Sequence, residues 1–215
     1  RCLMAVISIT LLLAGSGLML SVLGFATRLR AFARLARPVD RSTPKGDARL
    51  GMLYAFTLGM APWAKESTRR HRLAYLRGVG FHLGIFAGLG VLLVSPWIAQ
   101  LPLGLRQLLA ILAAGGALLG WAGFLARFIE PNLKTLSTPD DYAAVFLVSL
   151  FLATASLMLL SPRFSPFFWA VSALMLVYAP LSKIRHCIYF AYSRLFFGKF
   201  VGRRGVLPHN QQAGR

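Results

Sequence analysis

The stretch GVGFHLGIFAGLGVLLVSPWIA, residues 78–99, contains no charged residue and a single histidine. About 20 apolar residues are enough for a helix to cross the ~30 Å hydrocarbon core of a bilayer. No water is available there to pair exposed backbone groups. An apolar run of this length without alternation therefore indicates a helix rather than a barrel strand. The stretch predicts a membrane-spanning helix.

Four further runs of this kind predict spans at about 3–27, 105–126, 142–161 and 166–190. The chain is 57% apolar and 14% charged, with a mean hydropathy of +0.63. The first run ends at Arg28 and Arg30 without a small-residue cleavage pattern, which favours a retained span over a signal peptide. We therefore expect an all-α integral membrane protein with five transmembrane helices in a single membrane domain, residues 1–215.

The 24 Lys and Arg residues are distributed unevenly among the predicted loops. Three fall on one side of the membrane, and 21 fall on the other, in 28–49, 65–77, 127–141 and 183–215. Because basic residues concentrate in cytoplasmic loops, the amino terminus is predicted outside and the carboxyl terminus in the cytoplasm. Topology and attraction to anionic lipid thus account for the net charge of +18, and nucleic-acid binding is not expected.

Two segments are too short or too polar to be spans. Residues 50–64 form an apolar stretch that Pro62 interrupts, which predicts an interfacial helix between spans one and two; a docking surface for a soluble partner is the alternative. The cytoplasmic tail, residues 195–215, begins by interleaving basic and aromatic residues. That pattern favours either an interfacial amphipathic helix or insertion into another subunit.

Two of the four histidines lie within predicted spans. His82 is about 8 Å of helical rise past the last preceding arginine, and His186 is near the cytoplasmic end of the fifth span. A titratable group inside a membrane is costly and is therefore a candidate functional group. Two neutral imidazoles at one depth can fill both axial positions of a haem iron; the alternative is a structural hydrogen bond between helices. Candidate cationic partners for haem propionates lie at the same membrane edge: Arg127, Lys183 and Arg185.

Small residues recur on span two at a spacing that lets helices approach closely. Gly80, Gly84 and Gly88 share one face, and His82 points away from it because two residues correspond to about 200° of helical rotation. Gly115 and Gly116 are predicted to pack in the same way on span three. The carboxylates before span four do not indicate a proton path, since Asp140 is explained as the cap of that span.

Three motifs in order, FHLGIFAGL at 81–89, FLARFIEPNLKTLSTPDDY at 124–142 and PLSKIRHCIYF at 180–190, carry a resemblance to a known family. Over residues 74–195 the chain resembles the gamma, cytochrome b subunit of respiratory nitrate reductase. It also resembles related membrane cytochromes b of sulfur- and sulfate-metabolising complexes. Members of that family hold two haems b between the second and fifth spans, using four histidines.

The resemblance implies that His82 and His186 ligate the haem nearer the cytoplasm and that Arg127 lies near a propionate. Ligands of the outer haem would be expected near Leu92 and Phe168, and neither side chain can bind iron. We therefore expect one haem b in this chain. The family's outer quinol site, beside the missing haem, is in doubt for the same reason.

What the resemblance implies is electron transfer by one subunit of an oxidoreductase complex in the prokaryotic cytoplasmic membrane. Electrons would pass between quinone, or an outer multihaem cytochrome, and a cytoplasmic iron–sulfur subunit; other membrane subunits are possible partners. A haem with both axial positions filled by protein carries an electron and has no open site for a substrate. The competing hypothesis is a haem-free structural anchor of a multi-subunit complex.

Overall fold

The computed structural model describes residues 2–35, 41–64 and 66–207, and these residues form helices and connecting turns without a β-strand. The predicted tail therefore lies partly outside the described residues, from 208 onward. The α-helices are α1 (Cys2–Ala33), α2 (Ala48–Phe56), α3 (Glu66–Arg70), α4 (Arg72–Val94), α5 (Leu103–Ile129), α6 (Pro131–Leu136), α7 (Pro139–Leu160), α8 (Ser165–Tyr178) and α9 (His186–Arg203). Short 3₁₀ helices cover Leu58–Met60, Ser95–Gln100, Pro162–Phe164 and Lys183–Arg185.

The first four predicted spans are confirmed as long apolar helices. In the described part of the chain α1, α4 with its 3₁₀ extension, α5 and α7 are each long and apolar enough to cross a membrane. Large apolar side chains lie exposed on these helices, among them Leu12, Phe86, Ile111 and Leu118. Such a surface suits contact with lipid chains, and the described residues form an all-α structure compatible with a multi-pass membrane protein. Which end faces the cytoplasm stays a prediction.

The fifth span, predicted as one helix over 166–190, was wrong in its continuity. Helix α8 ends at Tyr178 and α9 begins at His186, so four spanning helices become five only if α8 and α9 with their 3₁₀ turns are counted together. The break follows from Pro180, which has no N–H and whose ring clashes with the preceding turn of a helix. Buried Ser182 then accepts a hydrogen bond from the Ile184 N–H (3.2 Å) and starts the turn Lys183–Arg185.

The internal contacts of the chain divide it into two compact units. The first unit contains Arg1–Thr27 and Leu73–Arg185, and the second contains Arg28–Arg72 and His186–Arg215. We describe each unit separately. His82 belongs to the first unit and His186 to the second.

Close helix packing in the first unit depends on glycine and alanine. Helix α5 buries a face of small residues against α4 and α7: Ala110, Ala113, Gly116, Ala117, Gly120, Gly123 and Ala126. A Cβ atom on Gly84 would lie 2.6 Å from the Cα of Gly116, closer than real Cβ contacts come. The packing role predicted for Gly80, Gly84 and Gly88 is confirmed, because each meets a side chain or backbone of α5 or α7. The same prediction for Gly115 was wrong, since nothing lies within 4 Å of it.

Large side chains fill the interior of the first unit between α7 and α8. Phe151 and Phe168 are fully buried and stack with their ring centroids 5.6 Å apart. The buried indole of Trp169 donates a hydrogen bond to the Ser95 hydroxyl at 3.1 Å, which ties α8 to the end of α4. The indole N–H and the Ser95 hydroxyl are thus paired, as burial away from water requires.

The second unit is built on a helix pair that the sequence did not predict. Helix α2, from the segment expected to be interfacial, packs against α9, from the end of the chain. The backbone N–H groups of Lys45 and Gly46 both donate to the Arg203 carbonyl, at 2.8 and 3.1 Å. Asp47 caps α2 by accepting from the Arg49 N–H at 2.7 Å. Residues 50–64 thus include most of α2, which packs against α9 near the end of the same chain.

Candidate functional site

His82 lies on α4 with its imidazole held in one orientation. Its Nδ1 is 2.7 Å from the carbonyl oxygen of Gly78, one turn earlier. Because a carbonyl oxygen only accepts, Nδ1 is the donor, and in a neutral ring the lone pair is then on Nε2. Histidines that bind metal carry an orienting bond of this kind on the nitrogen that does not face the metal.

The surroundings of His82 agree with the predicted helix faces. The glycine face of α4 is buried, whereas His82 is exposed, and Phe86 one turn later is 67% exposed. The imidazole therefore lies on an apolar surface of the first unit, on the side of α4 away from α5. That surface is open to lipid, to a cofactor or to another protein segment.

His186 is the first residue of α9 and its side chain is exposed. The argument that His186 and His82 share one depth assumed an unbroken span through residue 190. The break after Tyr178 removes that assumption, because His186 opens a new helix instead of closing a long one. Ligation of one iron by both histidines stays a prediction.

Lys183 lies in a cluster of polar groups that joins the break to the start of α7. Its Nζ forms an ion pair with Asp141 Oδ2 at 2.6 Å, and its backbone N–H donates to Asp140 Oδ2 at 2.8 Å. The Tyr178 hydroxyl donates to the other oxygen of Asp140. As a candidate propionate partner, Lys183 thus already shares its charge with a carboxylate of its own unit.

The predicted capping role of Asp140 was wrong. Asp141 takes it instead, by accepting from the N–H and the hydroxyl of Thr138 at 2.7 and 2.9 Å in a capping box. Asp140 does not cap α7 and instead accepts hydrogen bonds from Tyr178 and Lys183, which lie on either side of the break. Spacing alone could not separate these adjacent carboxylates, because the partners of Asp140 are about 40 residues away in the chain.

We expect Asp140→Ala to lower the free energy of unfolding by about 3 kcal/mol, since two hydrogen bonds to a charged acceptor are lost. Chemical or thermal unfolding of the purified chain in detergent measures this. Glu130→Ala is the matched control, because Glu130 is exposed and its side chain makes no capping bond. Equal stability of the two variants would contradict a structural role for Asp140.

The other two candidate propionate partners are arginines of the first unit that donate to backbone carbonyls. Arg127 Nη1 donates to Gly123 O at 3.0 Å, and Arg185 Nη1 donates to Leu181 O at 3.1 Å. The Nε of Arg127 is buried without a hydrogen-bond partner. The side chain of Arg127 is half-buried, and its guanidinium retains unused donors.

The positions expected to hold an outer haem are occupied by core residues. Phe168 is fully buried and stacked on Phe151, and Leu92 packs against the same core. Leu92 and Phe168 thus belong to an apolar core, and the expectation of one haem in this chain stays a prediction.

Among the described residues no group of three or more His, Cys, Asp or Glu residues is arranged to hold a metal ion. A cavity of about 300 Å³ in the second unit is lined by Leu50, Leu53, Tyr54, Thr57, Leu58 and Leu207. None of the predicted site residues lines it.

Comparisons with protein-family models, with curated proteins and with solved structures found no match to this chain. The resemblance to the nitrate reductase gamma subunit consequently stays a prediction from the sequence motifs. What the geometry adds is the orientation of His82, the partners of Lys183 and the packing at Phe168. The sequence did not predict that the side chains of Arg77 and Arg127 both lie near Gly123, where a Cβ would be 3.7 Å from Arg77 Nε and 4.0 Å from Arg127 Nη1.

Proposed function

We propose that this chain is the haem b subunit of a respiratory redox complex in the prokaryotic cytoplasmic membrane. It transfers electrons between the quinone pool, or an outer cytochrome, and a cytoplasmic iron–sulfur partner. The observation that carries the proposal is the imidazole of His82, fixed by Gly78 O on an apolar face of a membrane-spanning helix. A bound haem would supply a one-electron carrier whose potential depends on its axial ligands and surroundings.

The energetic argument concerns the cost of an imidazole at this place. A polar ring on an apolar membrane surface is unfavourable unless its nitrogens are paired. The bond from Nδ1 to Gly78 O serves one nitrogen and directs Nε2 away from the helix backbone. In this tautomer Nε2 carries the lone pair and is the nitrogen that would coordinate a haem iron.

The other residues have supporting roles in this proposal. His186 would be the second axial ligand, and Arg185 and Lys183 are the candidates that would neutralise the haem propionates. The lack of a side chain able to bind iron at Leu92 and Phe168 supports one haem rather than two in this proposal. With both axial positions filled, the subunit carries electrons and leaves bond-making chemistry to its partners.

The test is haem quantification in the intact complex and in the purified chain, by oxidised and reduced spectra and by pyridine haemochrome. We expect one haem b per chain, lost in His82→Ala and in His186→Ala because each removes an axial ligand. His71→Ala is the matched control, since His71 is exposed and lies before α4. That variant should keep its full haem content.

Two results would overturn the proposal. Absence of haem from the intact complex would leave the haem-free anchor as the function of the chain. Full haem content in both His82→Ala and His186→Ala would remove these residues as ligands. A folding check by size-exclusion chromatography separates loss of haem from loss of the protein.

A further inference from the structure

The register of α4 against α5 brings two arginines to the same point. Gly80 contacts the Leu119 side chain and Gly84 contacts Gly116, so the two helices run antiparallel. One turn before Gly80 on α4, the same alignment places Arg77 opposite Gly123 of α5. Arg127 follows Gly123 by one turn of α5. The start of α4 and the end of α5 therefore lie side by side, and each carries one of the two arginines.

The two guanidinium groups converge on Gly123. A Cβ on this glycine would lie 3.7 Å from Arg77 Nε and 4.0 Å from Arg127 Nη1. Both side chains are half-buried. Within the described residues no hydrogen bond or ion pair joins the side chain of Arg77 to another group, and the Arg127 guanidinium donates to Gly123 O while its Nε is buried without a partner.

Two cations at this separation repel each other, and partial burial increases the repulsion because water screens them less. The carboxyl end of α5 offsets part of the cost for Arg127 through the helix dipole and the Gly123 carbonyl. Among the described residues, no helix carboxyl end and no carbonyl oxygen stabilises the charge of Arg77 in this way. An anion between the two guanidinium groups removes the repulsion and uses their free donors.

The position of the two arginines favours one class of anion, the phosphate of a lipid headgroup. Arg127 is two residues from the end of α5, and Arg77 is on the second turn of α4, so both lie at the level of lipid headgroups if the helices cross the membrane. Exposed apolar side chains adjoin each arginine in the chain, Leu76 beside Arg77 and Phe128 beside Arg127. Phosphate accepts bidentate bonds from arginine, and basic pockets between spanning helices bind anionic lipid headgroups.

We propose that Arg77 and Arg127 together bind the phosphate of an anionic membrane lipid in the cleft that Gly123 leaves between α4 and α5. This assigns Arg127 to a lipid phosphate rather than to a haem propionate. The glycine is part of the site, because a larger residue would fill the space between the two guanidinium groups.

The test is native mass spectrometry of the delipidated full chain with phosphatidylglycerol, phosphatidylcholine or inorganic phosphate. We expect phosphatidylglycerol to bind in preference to phosphatidylcholine. Arg77→Gln and Arg127→Gln should each weaken its binding at least about tenfold, since each removes charge-assisted bonds to phosphate. Arg77→Lys and Arg127→Lys keep the charge and should bind with intermediate affinity, which protects the test if a glutamine variant does not fold. Arg69→Gln, at an exposed position before α4, is the control of equal net charge.

Several outcomes would overturn the proposal. These are equal binding of phosphatidylglycerol by Arg77→Gln or Arg127→Gln and by Arg69→Gln, or equal binding of phosphatidylcholine and phosphatidylglycerol by the original chain. Displacement of the lipid by inorganic phosphate at low millimolar concentration would show a site for free phosphate. Loss of haem from the arginine variants with unchanged lipid binding would return Arg127 to the propionates. Because lipid binding is read without haem, a haem-free chain would refute the proposed function and leave this inference standing or falling on its own.

Discussion

Gly51→Ala is expected to separate α2 from α9 and to unfold the second unit locally. A Cβ at this position would lie 2.0 Å from the Gly198 carbonyl oxygen and 2.5 Å from the Gly202 Cα. These are backbone atoms, so no side-chain rotation relieves the overlap and one helix must move away. Overpacking of this kind usually lowers the free energy of unfolding by about 1–3 kcal/mol. Here it acts on the packing of α2 against α9, which is the main helix contact of the second unit.

Hydrogen exchange of the α2 backbone amides measures this effect, and we expect exchange to be faster in Gly51→Ala than in the original chain. Leu53→Ala is the control within the same helix, because Leu53 is 62% exposed and shortening it creates no overlap. Unchanged protection of α2 in Gly51→Ala would show that the helices do not approach this closely.

Gly84→Ala and Gly90→Ala are expected to change stability in opposite directions, although both lie on α4. A Cβ on Gly84 meets the Gly116 Cα at 2.6 Å and the Leu112 carbonyl oxygen at 3.2 Å, so α4 and α5 are forced apart. We expect a loss of about 1–3 kcal/mol from this overpacking. Nothing lies within 4 Å of a Cβ on Gly90. There, alanine should stabilise the helix by about 0.5–1 kcal/mol through its higher helix propensity.

Unfolding of the first unit in detergent, followed for both variants under one condition, gives the comparison. The neighbouring pair Gly116→Ala and Gly115→Ala repeats it on α5, since only the first of these glycines is in contact. Equal effects at Gly84 and Gly90 would contradict the packing of α4 on α5.

The sequence predicted those parts of the fold that depend on local composition. Uninterrupted apolar runs located α1, α4, α5 and α7, and the spacing of Gly80, Gly84 and Gly88 identified the face that packs. The break in the fifth span was within reach, since Pro180 stands in the middle of an apolar run. It was missed because the apolar run 166–190 was taken as one continuous span.

Contacts between distant residues could not be predicted from composition or spacing. The pairing of α2 with α9 joins segments about 150 residues apart, and short helices with mixed surfaces carry no signal of their partner. At the candidate site, the chemistry of an intramembrane imidazole singled out His82. The bond to Gly78 and the partners that Asp140 finds across the break required coordinates.

The early end of α8 has a consequence for the bilayer that surrounds the first unit. Helix α7, with 22 residues, rises about 33 Å. Helix α8 runs back beside it to the level of Asp140, yet its 14 residues and the preceding 3₁₀ turn rise only about 27 Å. Pro180 prevents α8 from lengthening to match a thicker membrane. If α8 crosses the membrane beside α7, bilayers with short acyl chains should match its length with less hydrophobic mismatch than thick ones.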